Sequence, residues 1–80
     1  MNAPEARLLV VEDETNIREL LATTLKFAGF AVEAAPDGRT ALKLVADQAF
    51  DLAVMDVMLP DMSGLEVLRK LREQAIVHAA

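Results

Sequence analysis

The sequence predicts an α/β fold: a small parallel sheet covered by helices on both faces. Three observations predict it. Apolar runs short enough to be strands alternate with longer segments of helical periodicity. Two of those runs, Leu8-Leu9-Val10-Val11 and Leu52-Ala53-Val54-Met55, are apolar without interruption, the pattern of strands buried on both faces. Each of the two stops abruptly at acidic residues, Glu12-Asp13-Glu14 and Asp56. The resulting order is βαβαβα, and strand–helix–strand crossovers of this kind are right-handed in nearly all proteins and build parallel sheets.

Each element has its own signal. After the first strand, Ile17, Leu20, Leu21, Leu25 and Ala28 recur at helical spacing, so a helix is predicted from about Thr15 to Ala28, with Gly29 as its stop. Phe30-Ala31-Val32-Glu33-Ala34-Ala35 is a short second strand. Pro36-Asp37-Gly38 is turn chemistry, with Asp37 placed to cap a second helix whose inward residues are Ala41, Leu42, Val45 and Ala46 and which ends near Asp47-Gln48. Leu52 to Met55 is the third strand, and Leu59-Pro60-Asp61-Met62 a loop. Ser63-Gly64-Leu65-Glu66 has the spacing of a capping box, and Leu65, Leu68 and Leu71 line one face of the helix that follows. The tail, Gln74 to Ala80, fits either an extension of that helix or, at Ile76-Val77, the stub of a further strand. No repeat, low-complexity tract or linker interrupts the chain.

Length and composition narrow the function. With 80 residues the chain is one domain, yet 54% of it is hydrophobic. A body this small buries only about 60–65% of its unfolded surface, so the excess suggests a partner surface or a missing piece. There is no cysteine, hence no disulfide and no thiolate chemistry. Met1-Asn2-Ala3-Pro4-Glu5-Ala6-Arg7 lacks the pattern of a signal peptide, and no apolar run approaches a membrane span, so a cytoplasmic location is expected. A net charge of −5 argues against sequence-independent binding to nucleic acid or to an anionic membrane.

The acids carry the chemistry. Parallel strands all point the same way, so Glu12, Asp13 and Asp56 converge on one edge, the edge where open α/β sheets bind ligands. Like charges crowded there need a cation or must hold protons. Hard carboxylate oxygens with positions left open suit Mg²⁺, which keeps several waters and takes phosphate oxygens readily. A carboxylate beside such a cation is poised to attack phosphorus, because phosphoryl transfer asks the protein chiefly for positioning and charge stabilisation.

Three segments in this order resemble one family. Leu9-Val10-Val11-Glu12-Asp13-Glu14, Pro36-Asp37-Gly38-Arg39-Thr40-Ala41-Leu42, and the long stretch from Phe50 through Asp56, Pro60 and Gly64 look like the response-regulator receiver domain of two-component signalling. The likeness runs from about Arg7 to Glu73. It implies a flavodoxin-like sheet with strand order 2-1-3, the first helix on one face and the second and third on the other. It implies that Asp56 accepts a phosphoryl group from a sensor histidine kinase. Asp13 would ligate Mg²⁺ directly and Glu12 through water, with the Met58 backbone carbonyl as the third protein ligand and Pro60 and Gly64 shaping the neighbouring loop. Such a module is not a turnover enzyme; at most it phosphorylates itself from small phosphodonors and slowly loses the group again. The family's fourth and fifth strands and helices have no counterpart in the 80 residues, so residues 1–80 are expected to form a partial receiver, without the family's Ser/Thr and Lys. Lys26, Lys43 and Lys70 fall on helices and do not match that lysine.

Plainer roles compete for the same residues. A lone acid at a strand end is more often a turn residue or helix cap, and Asp13 or Glu14 fits that role for the first helix. Asp37 reads as a cap, Asp61 as a solvated loop acid, Glu66 as the capping-box partner and His78 as incidental. Met55, Met58 and Met62 read as gap-filling side chains. Competing functions are a non-signalling interaction module, self-associating or completed by a partner through the open edge of the third strand, and a Mg-dependent phosphohydrolase. The hydrolase ranks low because Met58 stands where such enzymes carry a second Asp, and a dinucleotide fold lower still, since no G-x-G-x-x-G follows the first strand.

Overall fold

Alternation of buried strands and amphipathic helices produces the expected order. In the computed structural model the elements are β1 (Arg7–Val11), α1 (Thr15–Phe27), β2 (Ala31–Ala35), α2 (Gly38–Asp47), β3 (Leu52–Met55) and α3 (Gly64–Glu73). The structure describes residues 6–55 and 59–73. The strands form one parallel sheet in the order β2-β1-β3. Register runs from Arg7↔Ala31 to Val11↔Ala35 on one side of β1, and from Leu8↔Leu52 to Val11↔Met55 on the other. The three strands therefore end level with one another.

Caps set the helix boundaries. Glu14 is the N-cap of α1, its Oε1 accepting the Asn16 N–H at 2.7 Å, so the plain reading of that acid holds. At the other end Gly29 takes φ 106°, where a side chain would be strained. The Gly29 N–H donates to Lys26 O at 3.0 Å and the Phe30 N–H to Leu25 O at 3.2 Å, closing the helix in a Schellman motif. Ala28 is thus the C-cap rather than a helical residue, and β2 starts at Ala31, one residue later than the sequence suggests. Asp37 caps α2 as expected, Oδ1 accepting the Thr40 N–H at 2.7 Å. The Ser63 hydroxyl accepts the Leu65 N–H at 3.1 Å where α3 begins.

Side chains alternate across the sheet, so β1 serves two faces. Leu9 and Val11 join Ala35, Ala41, Val45, Phe50 and Val67 in a buried cluster under α2 and α3. Leu8 and Val10 are equally buried on the opposite face, where α1 packs over β1 and β2. At the amino edge the Arg7 N–H donates to Asp51 Oδ2 and the Asp51 N–H returns to Arg7 O, both at 2.8 Å, while the Arg7 guanidinium donates to Gln48 Oε1.

Three inward assignments need correction. Ala46 is exposed; α2 turns Gly38, Ala41 and Val45 inward, with Leu42 half-buried. In α3 the buried side chain is Val67, whereas Leu65 is 64% exposed and Leu68 half-buried. Val67 faces α2, its Cγ2 lying against Gly38, so Leu65 lies to one side of the contact. The Leu71 side chain lies outside the described residues, as does the tail from Gln74 to Ala80. The third strand is not buried on both faces: Leu52 and Val54 remain open to solvent, on the face away from α2. Among the described residues no helix is long and apolar enough to cross a membrane.

Candidate functional site

The site is built where the strands end. Val11 pairs with Ala35 and with Met55, so the chain leaves β1 and β3 at the same edge. The Glu12 N–H donates to Ala35 O at 3.0 Å, extending the pairing with β2 by one step and fixing where the acidic turn begins. Glu12 is half-buried, and its Oε2 accepts the Glu14 N–H at 3.1 Å. Asp13 is exposed, and among the described residues nothing donates to its carboxylate. Asp56 and Met58 lie outside the described residues; Asp56 follows Met55 directly in the chain. Pro60 sits exposed in the next loop, and Gly64 is the buried first residue of α3.

The donor set fits a hard cation. Two adjacent carboxylates, one open to water, match the one or two acidic ligands that Mg²⁺ commonly takes while keeping much of its water shell. Among the described residues no group of three or more acids, histidines or cysteines is gathered into a complete metal cluster. Glu12 and Asp13 follow β1 as consecutive residues of the chain.

Two residues that the sequence reading passed over organise this edge. Arg18 lies in the first turn of α1, where a cation opposes the helix dipole and needs compensation. Its guanidinium reaches back, Nη1 donating to Glu12 O at 2.9 Å and to Asp13 O at 3.3 Å. It ties down the backbone of the acidic turn. A cation at the wrong end of a helix was the available signal. The second is Asp61, expected to be a solvated loop acid. Its Oδ1 accepts the Gly38 N–H at 2.8 Å and its Oδ2 the Arg39 N–H at 2.9 Å. The Gly38 N–H, and after it the N–H and charge of Arg39, hold the Asp61 carboxyl below its ordinary value against a weaker desolvation. No local signal announces this role, because the partners are 23 and 22 residues away in sequence. A hollow on the outer side of α3, lined by Leu65, Leu68, Arg69 and Arg72, contains none of these acids.

A parallel sheet of order 2-1-3 flanked by helices defines a flavodoxin-like α/β protein, a fold that in general binds ligands outside the carboxyl ends of its strands. The sequence pattern described as the response regulator receiver domain matches residues 8–79. Response regulator MprA of Mycolicibacterium vanbaalenii is 52% identical over 66 residues, which span 82% of this chain and 29% of MprA. Among solved structures, the chemotaxis response regulator CheY4 of Vibrio cholerae superposes with a TM-score of 0.84 at 40% identity, covering 88% of this chain and 58% of CheY4. TrrA of Thermotoga maritima, solved in complex with Mg²⁺ and BeF, superposes with a TM-score of 0.80 at 43% identity, covering 85% of this chain and 59% of TrrA. TrrA has also been solved in complex with the histidine kinase ThkA. This chain belongs to the response regulator receiver domain family, whose members are signalling modules of two-component systems. It spans less than a third of MprA and under two thirds of the solved receivers.

Proposed function

We propose that this chain is a phosphoacceptor module that takes a phosphoryl group onto Asp56, with Mg²⁺, from a sensor histidine kinase in the cytoplasm. Residues 1–80 in this reading form the βαβαβα portion of a receiver. The observation that carries it is the level ending of β1 and β3, Val11 against Met55, since the next residue of the chain after each is an acid, Glu12 and Asp56. The TrrA complexes with Mg²⁺ and BeF and with ThkA support the cation and the class of donor.

In the reaction a carboxylate oxygen of Asp56 attacks phosphorus as the P–N bond of the kinase phosphohistidine breaks. The bonding pair stays on the imidazole nitrogen, which takes up a proton from water and ends as neutral histidine. Asp13 would hold Mg²⁺ directly, Glu12 through water and Met58 through its carbonyl. Bound there, Mg²⁺ supplies charge compensation for the phosphoryl oxygens. Arg18 keeps the Glu12–Asp13 backbone in place, and Pro60 and Gly64 shape the loop on the far side of Asp56.

Incubation with acetyl phosphate and Mg²⁺, followed by mass spectrometry, tests the reading. The chain gains one phosphoryl group, and Asp56→Asn gains none. Absence of any Asp56-dependent adduct, and of any response to beryllofluoride, would overturn it.

A second reading is favoured by one observation. β3 is an edge strand, and its Leu52 and Val54 are 47% and 37% exposed, a surface suited to pairing with a second copy. In that reading the chain is an interaction module completed by homodimerisation. Light scattering after size exclusion decides it: a well-folded monomer at every concentration rules the dimer out.

A further inference from the structure

We propose that Asp61 is a positioning residue for phosphoryl acceptance, clamping the loop after Asp56 onto the N-terminus of α2. The inference rests on the reading of Asp56 given above.

The clamp has two parts. Both carboxylate oxygens of Asp61 are used, on the Gly38 and Arg39 N–H groups at 2.8 and 2.9 Å. These are free donors at the start of a helix, and the third, Thr40 N–H, is already taken by Asp37. The second part is packing. A Cβ on Gly38 would meet Met62 Cγ at 2.5 Å, Met62 Sδ at 2.8 Å and Val67 Cγ2 at 2.8 Å. The loop therefore rests on the helix backbone at a distance only glycine permits. Leu59 and Met62 also pack against the main core.

The consequence concerns residues 56–58. On one side of them Met55 is fixed by its pairing with Val11. On the other, the loop is held to α2 by Asp61. Asp56 and Met58 stand in the chain between these two anchored points, so releasing the loop from α2 is expected to slow the reaction at Asp56. Small misplacements of a reacting group cost rate steeply. Gly38 and Arg39 can turn to water when Asp61 is removed, so the fold persists while the loop relaxes.

The test compares two caps of the same helix in the full 80-residue chain. Asp37→Ala removes the bond to Thr40 N–H and leaves the loop untouched; Asp61→Ala removes the clamp. Initial rates of modification by acetyl phosphate are normalised to folded protein, and the Mg²⁺ concentration for half-maximal rate is recorded. Asp61→Ala is expected to react about 10- to 100-fold more slowly and to need more Mg²⁺, while Asp37→Ala stays within about twofold of wild type. Equal rates for the two variants would overturn the positioning role. If wild type itself takes up no phosphoryl group, the reading of Asp56 fails, and the positioning role with it. Should Asp61→Ala not fold, Asp61→Asn, which keeps one acceptor oxygen, carries the comparison: an intermediate rate supports the clamp and a wild-type rate refutes it.

Discussion

The two faces of the sheet are built from the same strands and finished differently. Under α2 and α3, Leu9, Val11, Ala35, Ala41 and Val67 are completely buried, and Val45 and Phe50 nearly so. On the α1 side β1 is equally dry, yet α1 has no fully buried residue, and Ile17, Leu20 and Phe27 stand open together with Leu52 and Val54 of β3. The difference is one of coverage. The α2 and α3 helices cover one face, whereas α1 packs over β2 and β1 and, among the described residues, Leu52 and Val54 of β3 stay exposed on that side. An apolar stripe thus tells what a helix is able to bury; the neighbours present decide what it does bury.

Substitutions can break that comparison. The largest effect is expected from Leu9→Ala in the sealed cluster, which should lower unfolding free energy by about 2–5 kcal/mol in urea titration, much of what a domain of this size has. Gly38→Ala comes next: its new methyl group meets Met62 and Val67 inside normal contact distance, and overpacking of this kind costs about 1–3 kcal/mol. On the open face Leu20→Gln should change stability by no more than about 0.5 kcal/mol, since the side chain is already 66% exposed. If Leu20→Gln proves as costly as Leu9→Ala, the two faces are not different in the way described. Val54→Lys sharpens the contrast by charging the β3 surface; light scattering should report less association with the melting temperature nearly unchanged.

The smallest effect is a pH dependence confined to the sealed face. The native Asp61 carboxyl titrates below its ordinary value, chiefly because of the Gly38 N–H. Its contribution to stability is therefore complete above the ordinary carboxylate range and is lost as pH falls through the depressed native value. Asp61→Asn should flatten the acid limb of the stability profile, measured by denaturation at a series of pH values, by lowering the neutral plateau and converging with wild type at low pH.

Much of the site's frame was legible without coordinates. Short apolar runs alternating with helices predict one parallel sheet, and parallel geometry gathers the strand ends at one edge, as Val11, Ala35 and Met55 demonstrate. Caps are local devices, and Asp37 and Gly29 do what their positions announce. The misreadings share a cause. Leu65 and Leu68 outrank Val67 in size, but α2 approaches α3 at Val67, which lies against Gly38, and periodicity carries no record of where a neighbour will be.

The sequence by itself determined the element order, the parallel sheet and the edge at which Glu12 and Asp13 stand, because strand pattern, turn chemistry and capping act within a few residues of their signals. Tertiary structure alone decided that Asp61 fastens a loop to a helix more than twenty residues away, and that one sheet face is sealed while the other stays open. Those outcomes depend on which surfaces meet in space, and a hydrogen bond or a packing contact between distant segments leaves no periodicity in the chain to be read.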